Sequence, residues 1–181
     1  MSLRLVGVED GWFEPYKAGE STLICAVVMS GGSVESIGTR CIEVDGTDAT
    51  GKLLELLGGI TCDAVILGGI SFGGFNVVDA EAVRVATGVP VIVFIPEAPD
   101  SEAMLAALCK HFPDWQERWR RVEALGEIFS EQVGDGRPIF FEVLGASRDE
   151  AARILRASSL GRIPEPVRVA KLVARGLTRS S

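Results

Sequence analysis

Hydrophobic residues in the first quarter of the chain fall in strand-like runs, and only after residue 48 do they take up helical spacing. Leu3 to Val8 is a short apolar run, Gly11, Pro15 and Gly19 interrupt it, and Ser21 to Ser30 is a long β-rich stretch. Gly31-Gly32-Ser33 supplies a tight turn into Ser36 to Val44, where Ile37, Thr39, Cys41 and Glu43 alternate with Gly38, Arg40, Ile42 and Val44. Strands joined by so short a turn are adjacent and antiparallel, so the chain opens with a three-strand meander.

From Asp48 the period lengthens. Leu53, Leu54, Leu56 and Leu57 recur as on one helix, with Gly58-Gly59 as its stop. Asp63 to Leu67 and Val89 to Ile95 are short and almost wholly apolar, as strands buried on both faces of a parallel sheet are. Between them a helix capped by Asp79 runs to Thr87 before Gly88. Helices follow over 101–111 and 114–129, then a strand over 139–143, a helix over 148–158 and a last helix opened by Pro164-Glu165-Pro166. The order predicts one α/β domain spanning 1–181. Its sheet is mixed, antiparallel through strands 1–3 and parallel thereafter, with five or six strands and helices on both faces.

Composition narrows the function. At 47% hydrophobic and 24% charged residues there is ample core, and no apolar run reaches the length of a membrane span. A soluble cytoplasmic protein is expected. The four cysteines, at 25, 41, 62 and 109, include no Cys-x-x-Cys pair; Cys25 and Cys41 sit in apolar runs and read as reduced, buried thiols. His111 is the sole histidine, so any acid, base or metal chemistry falls mainly to carboxylates. The net charge of −7 is uneven: residues 1–136 hold 9 basic and 21 acidic side chains, residues 137–181 hold 9 basic and 4 acidic. An acidic body with a basic end suits a polyanion held at one end while acids elsewhere bind cations.

Glu9-Asp10 ends the first strand, and Asp48 opens the first helix after the third strand. Carboxylates from separate segments are what metal-assisted phosphodiester hydrolysis requires, although alternation points Glu9 and Asp10 to opposite faces and Asp48 is equally suited to capping its helix. Gly69-Ile70-Ser71-Phe72-Gly73 matches the nucleophile-elbow pattern, but the residues after Ser71 are helix-poor, which argues against a serine hydrolase. Arg168, Lys171, Arg175 and Arg179 share one face of the last helix, with Val169, Leu172, Val173 and Leu177 left to pack on the sheet. Trp115 and Trp119, interleaved with Arg118, Arg120 and Arg121, fit either base stacking or core packing.

Several segments in a shared order carry a resemblance: Gly7-Val8-Glu9-Asp10-Gly11, Asp45-Gly46-Thr47-Asp48-Ala49-Thr50, the run from Leu67 through Gly73-Gly74-Phe75-Asn76 to Asp79, Gly88-Val89-Pro90-Val91, and Ile163 through Ala170. Together they resemble the mainly archaeal domain-of-unknown-function family number 99, distant relatives of endonuclease V within the ribonuclease H-like fold. The resemblance implies that fold, and a Mg²⁺-dependent endonuclease acting on deaminated DNA containing uracil or hypoxanthine, with Mn²⁺ able to replace Mg²⁺. It maps the metal-binding, catalytic acids to Glu9, with Asp10 beside it, and to Asp48. The third acid of endonuclease V falls at Gly68-Gly69, where this chain has none, and Asp79 is the candidate to replace it. Its late histidine has no counterpart in Gly145-Ala146-Ser147-Arg148. On this reading Gly73, Gly74 and Asn76 approach the DNA, and Arg168, Lys171 and Arg175 neutralise its phosphates. A catalytically inactive nucleic-acid-binding module, or an enzyme acting on a small phosphorylated metabolite, remains an alternative.

Overall fold

The computed structural model describes residues 2–15, 17, 19–133 and 136–179. Strands β1 (Arg4–Asp10), β2 (Ser21–Ser30) and β3 (Ser33–Glu43) form the expected antiparallel meander, with Asp10 opposite Ile24 and Ser21 opposite Glu43. Helix α1 (Ala49–Leu57) crosses to β4 (Ala64–Leu67), which lies parallel to β1 on its free side, Val8 opposite Leu67. Two-residue strands β5 (Ser71–Phe72) and β6 (Asn76–Val77) then make a small separate hairpin. Helix α2 (Ala80–Thr87) is capped as expected: the Asp79 carboxylate accepts from the Ala82 N–H, and Gly88 ends the helix in the left-handed region. It leads to β7 (Val91–Ile95), parallel to β4. Next come α3 (Ser101–His111), α4 (Trp115–Glu123), β8 (Phe129–Glu131), β9 (Ile139–Leu144), α5 (Arg148–Ser158), a hairpin of β10 (Ser159–Leu160) and β11 (Ile163–Pro164), and α6 (Glu165–Thr178).

The main sheet is mixed, as expected, but has seven strands, ordered β3-β2-β1-β4-β7-β9-β8. Its far half is not parallel throughout, because β9 runs antiparallel to β7 and β8 antiparallel to β9. The seventh strand, β8, was missed at residues 114–129, where helical spacing suggested one helix. Gly126, at φ 83°, is past the end of α4, and Phe129 begins a three-residue edge strand too short to show a period of its own.

Side chains alternate cleanly across the sheet. Val6, Val8, Val65, Leu67, Val91 and Val93 meet α1 and α2 on one face, while Leu5, Ile66, Ile92 and Phe141 meet α5 on the other. Helix α6 covers β1 and β2 on that second face, Val167 joining the cluster of Leu5 and Ile66 and Ala170 and Ala174 packing against Cys25, Val27 and Met29. The seating residues are small, unlike those the sequence suggested: Leu172 and Leu177 are exposed, and Val169 and Val173 only flank the contact. Gly7 permits the close approach, since a methyl there would overlap the backbone of Pro166 and Val167. Cys25 is buried, whereas Cys41, on the outer face of edge strand β3, is exposed. Among the described residues no helix is long and apolar enough to cross a membrane.

Candidate active site

Residue 9 is the point at which β1 and β4 stop being a ladder. The Gly68 N–H still donates to the Val8 carbonyl at 2.9 Å, and past it the two strand ends diverge with Glu9 lying over Gly68. A Cβ at position 68 would fall 2.5 Å from both Cδ and Oε1 of Glu9, so the Glu9 side chain fills the space a side chain at 68 would need. Glu9 faces α6, where the Lys171 ammonium stands 3.4 Å from its Oε1. Asp10 faces the other way, as strand alternation requires, and its Oδ2 accepts from the Gly73 N–H at 2.6 Å in the turn of the β5–β6 hairpin.

Both acids are poorly solvated. Glu9 is only 7% exposed, and burial pushes its carboxyl up to about 7, helped by the neighbouring Asp10 charge and opposed by Lys171. Burial also raises Asp10, against the Gly73 N–H and the charges of Lys171 and Arg175. Two adjacent carboxylates therefore share too little positive charge, an imbalance that a divalent cation or a proton would relieve. Hard carboxylate oxygens suit Mg²⁺, which commonly binds through one or two carboxylates, with water and phosphate oxygens completing its shell. The pair fits that donor set.

Asp48 and Asp79 do not join it. Among the described residues no three His, Cys, Asp or Glu side chains come together as a metal-ion cluster. Asp79 is held as the α2 cap described above. Asp48 stands at the start of α1, but its carboxylate caps nothing; it accepts from Asn76 Nδ2 at 2.7 Å and from the Glu43 N–H. The capping of α1 falls instead to Asn76, whose Oδ1 accepts from the Ala49 N–H while its Nδ2 also donates to the Glu43 carbonyl. Asn76 is buried with its amide fully engaged, so it braces the two loops and is not turned toward a ligand.

The expected basic stripe divides. Arg168 is paired in parallel with Glu165 at 2.6 and 2.7 Å, which leaves little of its charge for a phosphate. Lys171 pairs with Glu9, and the charges of Lys171 and Arg175 both favour the ionised form of Asp10. Gly73 and Gly74, at φ 55° and 82°, turn the hairpin beside Asp10, and a methyl at Gly74 would overlap the Asp45 carboxylate. Ser71 lies on β5, with a hairpin and not a helix after it, so the nucleophile-elbow geometry is absent.

One residue that the sequence offered only as a cation between Trp115 and Trp119 has a structural role of its own. Arg118 is buried, and its Nη1 donates to the carbonyls of Asp45, Gly46 and Phe75 at 2.7 to 3.0 Å. Its Nε pairs with Asp114, and its guanidinium stacks 4.4 Å from the centre of the Phe112 ring. Asp45 continues the chain of contacts: its N–H donates to the Gly73 carbonyl and its carboxylate accepts from the Phe75 N–H. Arg118 thus ties the β3–α1 loop to the glycine hairpin that holds Asp10. The Asp114–Arg118 pair, four apart on one helix, was the signal available for it. Trp115 and Trp119 flank it, half-buried.

A seven-stranded mixed sheet opening with an antiparallel meander, and carrying its acids at the end of β1, defines an endonuclease V-like α/β domain. Ciona intestinalis endonuclease V, solved in complex with a 24mer DNA containing an inosine followed by a ribo-adenosine, superposes with a TM-score of 0.63 at 15% identity, over 97% of this chain and 86% of that one. Human endonuclease V superposes at 0.61, with 17% identity over 97% and 84% of the two chains. Within that fold the chain belongs to the endonuclease dU family, whose sequence pattern matches residues 1–178. A UPF0215 protein of Methanothermobacter thermautotrophicus is 37% identical over 97% of this chain and 88% of its own length. A protein of unknown function from Archaeoglobus fulgidus superposes at 0.86, with 31% identity over 98% and 99% of the two chains.

Proposed function

We propose that this protein is a Mg²⁺-dependent endonuclease that cleaves DNA at or near deaminated bases, uracil or hypoxanthine, in repair. The observation that carries the reading is the adjacent Glu9 and Asp10 at the end of β1, Glu9 buried against Lys171 and Asp10 half-buried against the Gly73 turn. Membership of the endonuclease dU family supports nuclease chemistry, and the inosine-containing DNA held by a structural neighbour supports a nucleic-acid ligand.

Glu9 and Asp10 would hold the ion, with Mn²⁺ able to take its place. Bound there, Mg²⁺ supplies Lewis acidity toward the scissile phosphate. The residues of the chain do the rest. Lys171, close to Glu9, restrains its charge and offers a cation to a phosphate oxygen. Arg175 adds a second cation, and the Gly73-Gly74 turn lets backbone approach the sugar. With Asp48 and Asp79 engaged elsewhere, the remaining ligand positions fall to water and substrate oxygens.

The test is nicking of end-labelled DNA carrying one uracil, one hypoxanthine or no lesion, with Mg²⁺, Mn²⁺ or chelator. Native protein is expected to nick the lesion strand only with metal, and Asp10→Ala to lose nicking while keeping its fold. Undiminished metal-dependent nicking by Asp10→Ala would end the assignment. DNA binding without nicking would favour the second reading, a binding module, toward which Gly68 points by offering no third acid.

A further inference from the structure

We propose that the Trp12 indole is a stacking platform for a nucleobase of the bound strand, beside the acid pair. This rests on the nucleic-acid part of the reading above and is independent of cleavage. Trp12 follows Asp10 by two residues, where the chain leaves β1. Gly11 still donates to the Leu23 carbonyl at 2.8 Å, and then the Trp12 backbone is clamped from both sides. Its N–H donates to Thr178 Oγ1 at 2.6 Å, and its carbonyl accepts from the buried Thr22 hydroxyl at 3.0 Å.

The Thr178 hydroxyl is itself fixed, because it donates to the Ala174 carbonyl one turn back on α6. A side chain on Gly11 would meet Thr178 at 2.6 Å and Thr22 Oγ1 at 2.8 Å, so only glycine lets the chain thread between the two threonines. Trp12 therefore stands on a backbone secured to β2 and to the helix that carries Lys171 and Arg175. Trp12 is nevertheless 46% exposed, and no intramolecular aromatic or cation–π contact engages its indole among the described residues. Leaving a large aromatic surface in water on a well-braced backbone forgoes hydrophobic stabilisation and leaves a π-face open to a ligand.

The surroundings indicate which partner that face suits. Arg175 is three residues from Thr178 on the same helix and acts on Asp10, while Lys171 lies against Glu9. Aromatic face, cations and acid pair thus share one end of β1. A single strand recognised by stacking and by its backbone charge needs such an aromatic–cation arrangement. Every base has a π-face, so this contact would contribute affinity and position without selecting the lesion.

The test compares native protein with Trp12→Ala and Trp12→Phe. Each is titrated with a labelled oligodeoxythymidylate and with an abasic phosphodiester strand of equal length, read by anisotropy over a series of salt concentrations. Trp12→Ala is expected to weaken binding of the base-bearing strand by about fivefold to a hundredfold. Its affinity for the abasic strand and the salt slope are expected to stay as in the native chain. Trp12→Phe is expected to recover most of the loss. Native tryptophan emission should also fall on adding the base-bearing strand, by an amount missing in Trp12→Phe. Equal weakening on both strands, or none on either, would overturn the proposal. So would a native dimer that dissociates on Trp12→Ala, since the indole would then cover a second copy of the chain. If the native chain binds neither strand, both this proposal and the nucleic-acid reading fall; if it stacks yet never nicks, only the cleavage reading falls.

Discussion

Glu9 and Arg118 are both buried charges, and the molecule treats them in opposite ways. Arg118 has a carboxylate, three carbonyls and an aromatic ring around its guanidinium, so its burial is compensated on every side. Glu9 has one ammonium at 3.4 Å, a like charge next door and a glycine beneath it, and its carboxyl is pushed up to about 7. A satisfied buried charge holds structure together, and an unsatisfied one is a demand for a ligand. The contrast separates brace from site more sharply than burial alone, since the two residues are almost equally inaccessible.

The contrast breaks most visibly at the brace. Arg118→Met leaves three carbonyls and Asp114 without their donor, and a loss of about 3 kcal/mol or more is expected, seen as a fall of roughly 10 °C in Tm. Unchanged melting would show that the two loops hold each other without it. At the site the sign reverses. The folded-state carboxyl of Glu9 lies above its ordinary 4.5, so between 4.5 and about 7 the native state binds more protons than the unfolded one, and stability falls as pH rises through that window. Glu9→Gln is therefore expected to be more stable than the native chain at pH 8, by about 3 kcal/mol, and equal to it below pH 4. Urea melts across that range check this, and a Glu9→Gln chain less stable at pH 8 would refute the electrostatic account.

Glu142 sharpens the comparison further. It is buried on β9 opposite Val93, and burial alone raises its carboxyl to about 7. The same sign argument gives Glu142→Gln a gain above pH 7 of on the order of 1 to 2 kcal/mol. Its nicking of DNA should match the native chain, which sets Glu142 apart from Glu9, and a loss of nicking would draw it into the site. The smallest effects belong to Asp45, a non-glycine residue at φ 58°. Asp45→Ala forfeits the Phe75 N–H bond in a left-handed backbone and is expected to cost about 1 to 2 kcal/mol. Asp45→Asn, which keeps an acceptor and tolerates that conformation, should cost less than about 0.5 kcal/mol in the same melts.

How much of this was legible beforehand follows from the range of each interaction. The meander was readable because period, turn length and pairing lie within forty residues. The α2 cap was readable because Asp79 and Ala82 are three apart. Alternation likewise foretold that Glu9 and Asp10 face opposite sides. The exchange at α1 was hidden: Asp48 has the cap position and Asn76, 28 residues further on, has the cap bond. Arg118 was hidden for the same reason, its carbonyl partners being 43 to 73 residues away. Gly68 was visible only as a missing acid, and the structure supplies the physical reason, that Glu9 fills the space.

The seating of α6 on Gly7 also has a kinetic side. Residues 7 and 166 touch across almost the whole sequence, and such distant contacts are slow to find because a long loop must close first. Until they meet, Cys25, Val27 and Met29 face water and Glu9 has no ammonium opposite it. The charge environment of Glu9 is thus set by a contact between the two ends of the chain, and it is complete only when α6 is docked.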